Sequence, residues 1–95
     1  MTKIEVGDTI TIKLMSGEEV VAKLIENRED TLVVSKPRAV VNLPQKGIGL
    51  GPFVFTIPQN ADVEIFKKNV VCFGETEGDM ARQYTQGTTG LTLPR

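Results

Sequence analysis

The sequence lacks several residue types on which enzyme and metal chemistry most often depends. It contains no histidine, no tryptophan and a single cysteine, Cys72. Histidine is the commonest general base and a common metal ligand, so Ser–His and Cys–His catalytic arrangements are excluded. One cysteine excludes an internal disulfide framework and fits a reducing compartment. We therefore expect a protein that is not an enzyme and that holds neither a cofactor nor a metal ion.

Charge and hydropathy set further limits. The formal net charge is −1 and the isoelectric point is about 5.4, so contact with nucleic acid requires a local basic patch. With four phenylalanines and one tyrosine, the chain has few rings on which bases might stack. Residues 1–6 lack the apolar run of a signal peptide, and no stretch approaches transmembrane length. These features predict a cytoplasmic protein that makes no membrane contact.

Three consecutive strands are predicted at the start of the chain. In residues 9–14 isoleucine and leucine alternate with polar residues, which is typical of a half-buried strand. Residues 19–25 are apolar on one face and partly apolar on the other, so the second strand should be covered on both sides. Such a strand either is bent and shared by both halves of a barrel or faces a partner chain. Residues 31–34 form the third strand.

The middle of the chain contains a predicted loop and a fourth strand. Pro37 has no N–H to donate, so it should lie at a sheet edge or end the third strand, which residues 39–41 then resume. Residues 42–52 are rich in proline and glycine and are predicted to form a flexible or partner-ordered loop. A phosphate-binding P-loop is excluded because Gly51 is followed by proline and a strand. That fourth strand is predicted at residues 53–57.

The C-terminal part combines two short strands with a helix. Residues 63–66 and 69–73 have the composition of strands separated by a tight turn. The residues Thr-Glu-Gly-Asp at 76–79 have the form of a capping box, which predicts a helix over residues 77–86. The tail from residue 88 onward is expected to be loosely ordered.

Together these elements predict an all-β fold, a small and strongly bent five-stranded open barrel with a short C-terminal helix. The barrel would comprise residues 1–74, and the helix and tail would comprise residues 75–95. The fourth-strand region and the last strand should lie at open edges, which invite pairing with another chain. Head-to-tail pairing of such edges forms a ring when the rotation closes. Assembly would bury area that a chain of 95 residues lacks alone.

Residues 65–73, Ile-Phe-Lys-Lys-Asn-Val-Val-Cys-Phe, resemble the second motif of the Sm-like family, which includes the LSm proteins and bacterial Hfq. In Sm proteins the motif reads Ile-Arg-Gly-Asn-Asn-Val, so its isoleucine, second asparagine and valine agree. Hfq has Tyr-Lys-His where this chain has Phe66, Lys67 and Lys68. The three-strand meander resembles the region of the first motif, and the chain is similar to small Sm-like proteins of marine tailed phages. The resemblance covers roughly residues 8–74.

The resemblance implies an Sm-like (SH3-like) barrel that assembles into a closed homo-oligomeric ring. The number of subunits that the resemblance implies is about five to seven. It also implies single-stranded RNA held at loops around the pore, in the cytoplasm of a phage-infected bacterium. The chain departs from the family at residues 28–31, where the Met-Asn of the first motif is missing and Asp30 or Thr31 replaces the base-contacting asparagine. The Arg-Gly of the second motif is also missing, the loop at 42–51 is extra, and the helix is C-terminal instead of N-terminal. A structural or protein-interaction ring that has lost RNA binding is therefore the second interpretation.

The candidate nucleic-acid site centres on the turn before the last strand. Lys67 and Lys68, repeated once per subunit around a pore, would create a local positive field that attracts phosphates. Phe66 offers a face for base stacking. The alternative is a solvated turn with Phe66 in the core. The full set of candidate contacts is Asn27, Lys36, Arg38, Phe66, Lys67, Lys68 and Asn69.

The remaining candidates have ordinary structural interpretations beside the functional ones. Lys36 and Arg38 either extend a basic rim or protect an edge strand from pairing, and Asn27 offers its amide to a base edge. The three carboxylates within residues 26–30 surround an arginine, and a solvated loop tip is favoured over a cation site. Cys72 is predicted to be a small core residue. A last pair, Met80 and Tyr84, is predicted to dock the helix.

Overall fold

The computed structural model describes residues 3–88 as one curved antiparallel sheet with a helix against it. The strands are β1 (Thr9–Leu14), β2 (Glu19–Asn27), β3 (Thr31–Leu43), β4 (Gly47–Pro52), β5 (Asp62–Phe66) and β6 (Val70–Glu75). A 3-10 turn at Lys67–Asn69 joins β5 to β6, and helix α1 spans Gly78–Thr88. The strand order is β4-β3-β2-β1-β6, and β5 also pairs with β3. The predicted class, a small all-β open barrel with a short C-terminal helix, is confirmed.

The alternating pattern of β1 places its apolar residues in the core as predicted. Ile10 lies opposite Ala22, and Ile12 lies opposite Val20, and all four side chains are fully buried. Each fully buried aliphatic side chain of this size contributes about 1.5–3 kcal/mol relative to exposure. The buried core cluster comprises Ile10, Ile12, Leu14, Val20, Ala22, Leu24, Leu32, Val34 and Ile65.

The second strand is covered by its own chain on the core face and, at Val21, on the other face, whereas Ile25 is 36% exposed. Val21 points away from the core residues Val20 and Ala22 but is also fully buried, and α1 packs against β2. Two irregularities in the β2–β3 register, near residues 22 and 25, bend the strand. The apolar character of both faces is thus explained by a bent strand between core and helix.

The third strand is longer than predicted and bends at Lys36 and Pro37. One edge of β3 pairs with β2, while the other pairs with β5 over residues 31–35 and with β4 over residues 38–43. Lys36 has a φ of +52°, a left-handed conformation that is uncommon for a residue with a side chain. Pro37 therefore lies inside a strand, which was not expected. It is tolerated because it falls between the two partner strands, where no ladder donor is needed.

The predicted loop at residues 42–52 is wrong, because this segment completes a β-hairpin. β3 continues to Leu43, the turn bonds the Lys46 amide N to the Leu43 carbonyl O at 3.1 Å, and β4 follows. The glycines of β4 made the segment resemble a loop, but Gly49 lies against the side chain of Leu43 across the hairpin. A Cβ atom on Gly49 would lie 2.6 Å from Cδ1 of Leu43, so a side chain there would require the Leu43 side chain to move.

The predicted fourth strand at residues 53–57 is also wrong. This segment is an irregular loop. Two of its backbone carbonyls are bonded locally, since Nε2 of the Gln59 side chain donates to the carbonyls of Val54 at 2.8 Å and Ile57 at 3.4 Å. A backbone whose acceptors are satisfied by a side chain gains less from joining a ladder. Phe53 packs against the core, whereas Phe55 is 81% exposed.

The helix forms as predicted and is fixed to the sheet by Tyr84. Its hydroxyl donates to the carbonyls of Ser35 at 2.9 Å and Lys36 at 3.0 Å, and the ring is 3% exposed. The predicted capping box of Thr76 and Asp79 is wrong, because the cap is the Glu77 carboxylate, which accepts from the Met80 N–H at 2.9 Å. The Thr76 hydroxyl instead bonds Thr11 in β1. The predicted tail lies outside the described residues after position 88.

We expect Tyr84→Phe to destabilise the fold by about 1–2 kcal/mol, because the one hydroxyl proton shared by the Ser35 and Lys36 carbonyls is lost. Burial raises the pKa of Tyr84 above its ordinary value of 10.0. The unfolded chain then ionises this tyrosine first, so the contribution of Tyr84 is complete below about pH 10 and is lost as pH rises through the folded pKa. Urea unfolding of the wild type and the Tyr84→Phe variant should show a smaller difference in the free energy of unfolding at pH 11 than at pH 8. A difference that stays constant or widens would contradict this assignment.

Candidate nucleic-acid interface

The 3-10 turn at Lys67–Asn69 is held between two other loops of the barrel. The Lys67 amide N donates to the Asp30 carbonyl O at 2.9 Å, which ties the turn to the β2–β3 loop. The Met15 amide N donates to the Asn69 carbonyl O at 2.8 Å, which ties it to the β1–β2 loop. Three sequence-distant loops therefore meet at one place, and the predicted site residues Asn27, Phe66, Lys67, Lys68 and Asn69 lie there.

Phe66 lies on the outer face of the sheet. Strand alternation decides this, because Ile65 opposes Leu32 and points into the core, while Phe66 opposes Thr31 on the other face. Ile65 is 7% exposed and Phe66 is 55% exposed. The alternative that placed Phe66 in the core is wrong. Its ring is open to solvent at the start of the 3-10 turn and is free to stack on a planar group.

The two lysines of the turn have different surroundings. Lys67 is half-buried, and its Nζ donates to Oδ1 of Asn27 at 2.5 Å, so the ammonium and the amide form one polar unit. Lys68 is exposed, and within residues 3–88 its side chain makes no hydrogen bond or ion pair. Asn69 is exposed beside it. Lys68 is therefore the cation that a ligand would reach without displacing an existing contact.

Carboxylates balance the cations around the turn. Arg28 bonds Glu26 at 3.0 Å and Glu64 at 3.3 Å, and the hydrogen bond from Arg28 lowers the pKa of the Glu26 carboxyl. Glu64 also accepts from the Thr31 hydroxyl at 3.3 Å. Glu64 was not predicted to belong here, because it lies 36 residues from Arg28 in the chain. Its position opposite Val33 in the β3–β5 ladder brings it to the loop.

Thr31 is not available as a base contact. Its side chain is 7% exposed and its hydroxyl is bonded to Glu64. The resemblance suggested Thr31 or Asp30 as the replacement for a base-contacting asparagine, and burial leaves Asp30 as the accessible one of the two. Glu26 at the end of β2 and the two acidic residues of the β2–β3 loop, Glu29 and Asp30, are exposed. Among residues 3–88, no group of three or more acidic or cysteine side chains is arranged to hold a metal ion.

Lys36 and Arg38 lie elsewhere, at the bend of β3. Lys36 Nζ donates to the Thr88 carbonyl O at 2.7 Å, and Arg38 donates to the carbonyls of Pro37 at 3.0 Å and Gln59 at 2.9 Å. The bend is five residues along β3 from Thr31, or about 17 Å at the usual rise of a strand. The structure therefore does not bring these two cations to the turn, and their observed contacts stabilise the bend and the loop beside it.

The prediction that Cys72 lies in the core is wrong, because its thiol is exposed. The prediction assumed unbroken alternation with Val70. The β1–β6 register shifts between Lys13 and Leu14, so Lys13 opposes Cys72 while Leu14 opposes Val70. Because of this bulge, the side chain of Cys72 does not lie on the same face of the strand as that of Val70. Val71 is left 64% exposed.

No family model matches this chain, and no curated protein matches it with significance. Within the part of the chain that the structure describes, no helix is long and apolar enough to cross a membrane. The fold and the local geometry of the turn are therefore the basis for assigning a function.

We expect Phe66→Ala to cost less than about 1 kcal/mol of stability, because the ring is mostly exposed and leaves no cavity. The neighbouring substitution Ile65→Ala is the matched control and should cost about 2–5 kcal/mol, because it empties part of the core. Urea unfolding of both variants at one protein concentration measures the two values. A large cost for Phe66→Ala would mean that its ring is buried in solution.

Proposed function

We propose that this protein is a non-enzymatic, Sm-like, ring-forming protein of the cytoplasm that binds single-stranded RNA through the turn at Lys67–Asn69. The observation that carries the proposal is the exposed ring of Phe66 immediately beside Lys67 and Lys68. An exposed aromatic face next to cations is the arrangement that single-stranded nucleic acid uses, with bases stacking on the ring and phosphates near the ammoniums.

The strand order supports the Sm-like part of the proposal. A five-stranded path, β5-β3-β2-β1-β6, wraps around the core, and a 3-10 turn joins its two end strands. The path remains open, since in residues 3–88 β5 pairs with β3 and β6 pairs with β1, but β5 and β6 do not pair with each other. Each end therefore presents unpaired backbone groups, which favours head-to-tail addition of further copies.

The charge around the turn limits how RNA would be held. Arg28, Lys67 and Lys68 are accompanied by Glu64 and by three carboxylates within residues 26–30. Charge alone therefore does not provide strong attraction for phosphates, and Lys67 would have to exchange its bond with Asn27 for a phosphate contact. We infer a weak interaction to which stacking on Phe66 contributes about 1–3 kcal/mol per base, with the lysines positioning the backbone.

A structural or protein-interaction ring is the second candidate. Three contacts favour it, namely the bond between Lys67 and Asn27 and the ion pairs of Arg28 with Glu26 and Glu64. All three satisfy polar groups of the rim internally. A ligand would have to compete with them or leave them in place and use Lys68, Asn69 and Phe66.

The test is fluorescence anisotropy of labelled oligo-U and oligo-A titrated with the protein at low and moderate salt, with light scattering on the same samples. We expect binding that weakens with salt, and a loss of about tenfold or more for Lys67→Ala with Lys68→Ala. The slope of log affinity against log salt should fall in magnitude by about 1.4, since each lost phosphate contact on a single strand accounts for about 0.7.

The control is the double substitution Lys3→Ala with Lys46→Ala, which changes net charge equally at two exposed positions outside the turn. It should bind like the wild type. Equal affinity of the wild type and the Lys67 and Lys68 variant would show that the site is wrong. A ring without binding at low salt would favour the structural candidate, and a monomer at every concentration would refute the ring.

A further inference from the structure

Helix α1 leaves part of the outer face of the sheet uncovered. The start of the helix lies beside β1, since the hydroxyls of Thr76 and Thr11 are bonded to each other. Its end lies beside β3, where Lys36 Nζ holds the Thr88 carbonyl O at 2.7 Å. Beyond that end, the hairpin of β3 and β4 has no covering element in the part of the chain that the structure describes.

The hairpin presents an apolar stripe on this face. Val40 lies opposite Leu50 and Asn42 lies opposite Ile48 in the β3–β4 ladder, so the four side chains share one face. Ile48 is 59% exposed, and Val40 and Leu50 are partly exposed. Three aliphatic side chains are therefore open to contact on one side of an edge strand.

Two adjoining hollows follow this stripe. The first has a volume of about 200 Å³ and is lined by Arg38, Leu50, Gln83, Tyr84, Gly87 and Thr88. The second has a volume of about 540 Å³ and lies against the β1–β2 turn, where its lining includes Glu18, Glu19, Val40, Asn42 and Ile48. Because Val40 and Leu50 are cross-strand partners, the two hollows form one outer groove that begins at the end of the helix.

The far end of the outer groove is acidic. Glu18 and Glu19 are exposed, and neither forms an ion pair with another residue of the described chain. Lys13 lies opposite Glu19, but its Nζ is bonded to the Gly17 carbonyl O at 3.0 Å. The two carboxylates are the charged side chains that line this end, so its complement is a cation that follows an apolar segment.

The sequence that follows Thr88 has this order of residues. Residues 89–95 read Thr-Gly-Leu-Thr-Leu-Pro-Arg, and leucines at alternate positions share one face of an extended segment. Seven extended residues reach up to about 23–25 Å. The distance from Arg38 to Asn42 along β3 is about 13 Å at the usual rise of a strand. The segment is therefore long enough to bring its leucines over the stripe and Arg95 to the acidic end.

We infer that residues 89–95 of this chain occupy the outer groove. Leu91 and Leu93 cover the apolar stripe, and the guanidinium of Arg95 pairs with the carboxylates at the far end. The segment then shields β4, and covering an exposed edge strand is a common way to prevent unwanted pairing. It leaves β5 and β6 open, so the inference depends neither on the ring nor on RNA binding.

The test uses tryptophan fluorescence, because the chain contains no tryptophan of its own. Leu93→Trp is compared with Thr92→Trp, the matched control whose side chain points the other way in an extended segment. Leu93→Trp should emit at shorter wavelength and be quenched less by acrylamide than Thr92→Trp. Adding Leu91→Ser should remove both differences, because an apolar contact is lost. Equal emission and equal quenching of the two reporters would overturn the inference.

Charge reversal tests the acidic end. In the Leu93→Trp protein, Arg95→Glu should lower the ratio of bound to free segment by about 1.5- to 5-fold at low salt, as for an exposed ion pair. Glu18→Lys with Glu19→Lys should restore the ratio. Glu29→Lys with Asp30→Lys makes the same change of charge in the β2–β3 loop and should not restore it. Equal rescue by both pairs, or by neither, would overturn the pairing of Arg95.

Dilution identifies the occupant. Shielding of the Leu93→Trp reporter within one chain is independent of protein concentration, so it should persist in a series that light scattering follows. Shielding lost on dilution would assign the groove to the segment of a second copy and overturn the inference. Urea midpoints check that each variant is folded, and Leu91→Trp replaces Leu93→Trp if the latter is unfolded.

Discussion

The bend of β3 at Lys36 and Pro37 is the constraint on which the rest of the fold depends. A left-handed residue with a side chain costs of order 1–3 kcal/mol, and the helix offsets that cost directly. The Tyr84 hydroxyl bonds the carbonyls of Ser35 and Lys36, and Lys36 Nζ bonds the last carbonyl of α1. The helix therefore does more than pack against β2. It stabilises the geometry that allows one strand to leave β5 and join β4.

The bend also separates the two surfaces that the chain presents. On one side of it, Thr31 and β5 lead to the turn that carries Phe66 and Lys68. On the other side, β4 carries Ile48 and the loop at residues 53–61 carries Phe55. One strand thus positions two different surfaces. The turn with Phe66 carries charges of both signs, whereas residues 39–61 contain a single charged residue, Lys46.

The sequence predicted those parts of the fold that follow from a strict local period or from a signal for the start of a helix. Alternation placed β1 at Thr9–Leu14, and the helix follows from the residues around Glu77. Prediction from the sequence failed where the pairing of a strand depends on residues that are distant in the chain. The glycines of β4 are typical of a loop until Leu43 is seen to pack over Gly49, and Cys72 is exposed because of a bulge that local alternation does not reveal.

The same distinction applies to the candidate site. Phe66, Lys67 and Lys68 are adjacent in the chain, so a motif was enough to group them, but the contacts of Asn27 and Glu64 depend on β5 pairing with β3. The nearby carboxylates balance much of the positive charge of the lysines. Attraction between these lysines and phosphates therefore does not distinguish a single strand from a duplex. In the proposed function the ring of Phe66 would discriminate, because stacking needs an unpaired base that a duplex does not offer. Selection for single strands would therefore come from the aromatic residue, and the cations would set only how tightly the strand is held.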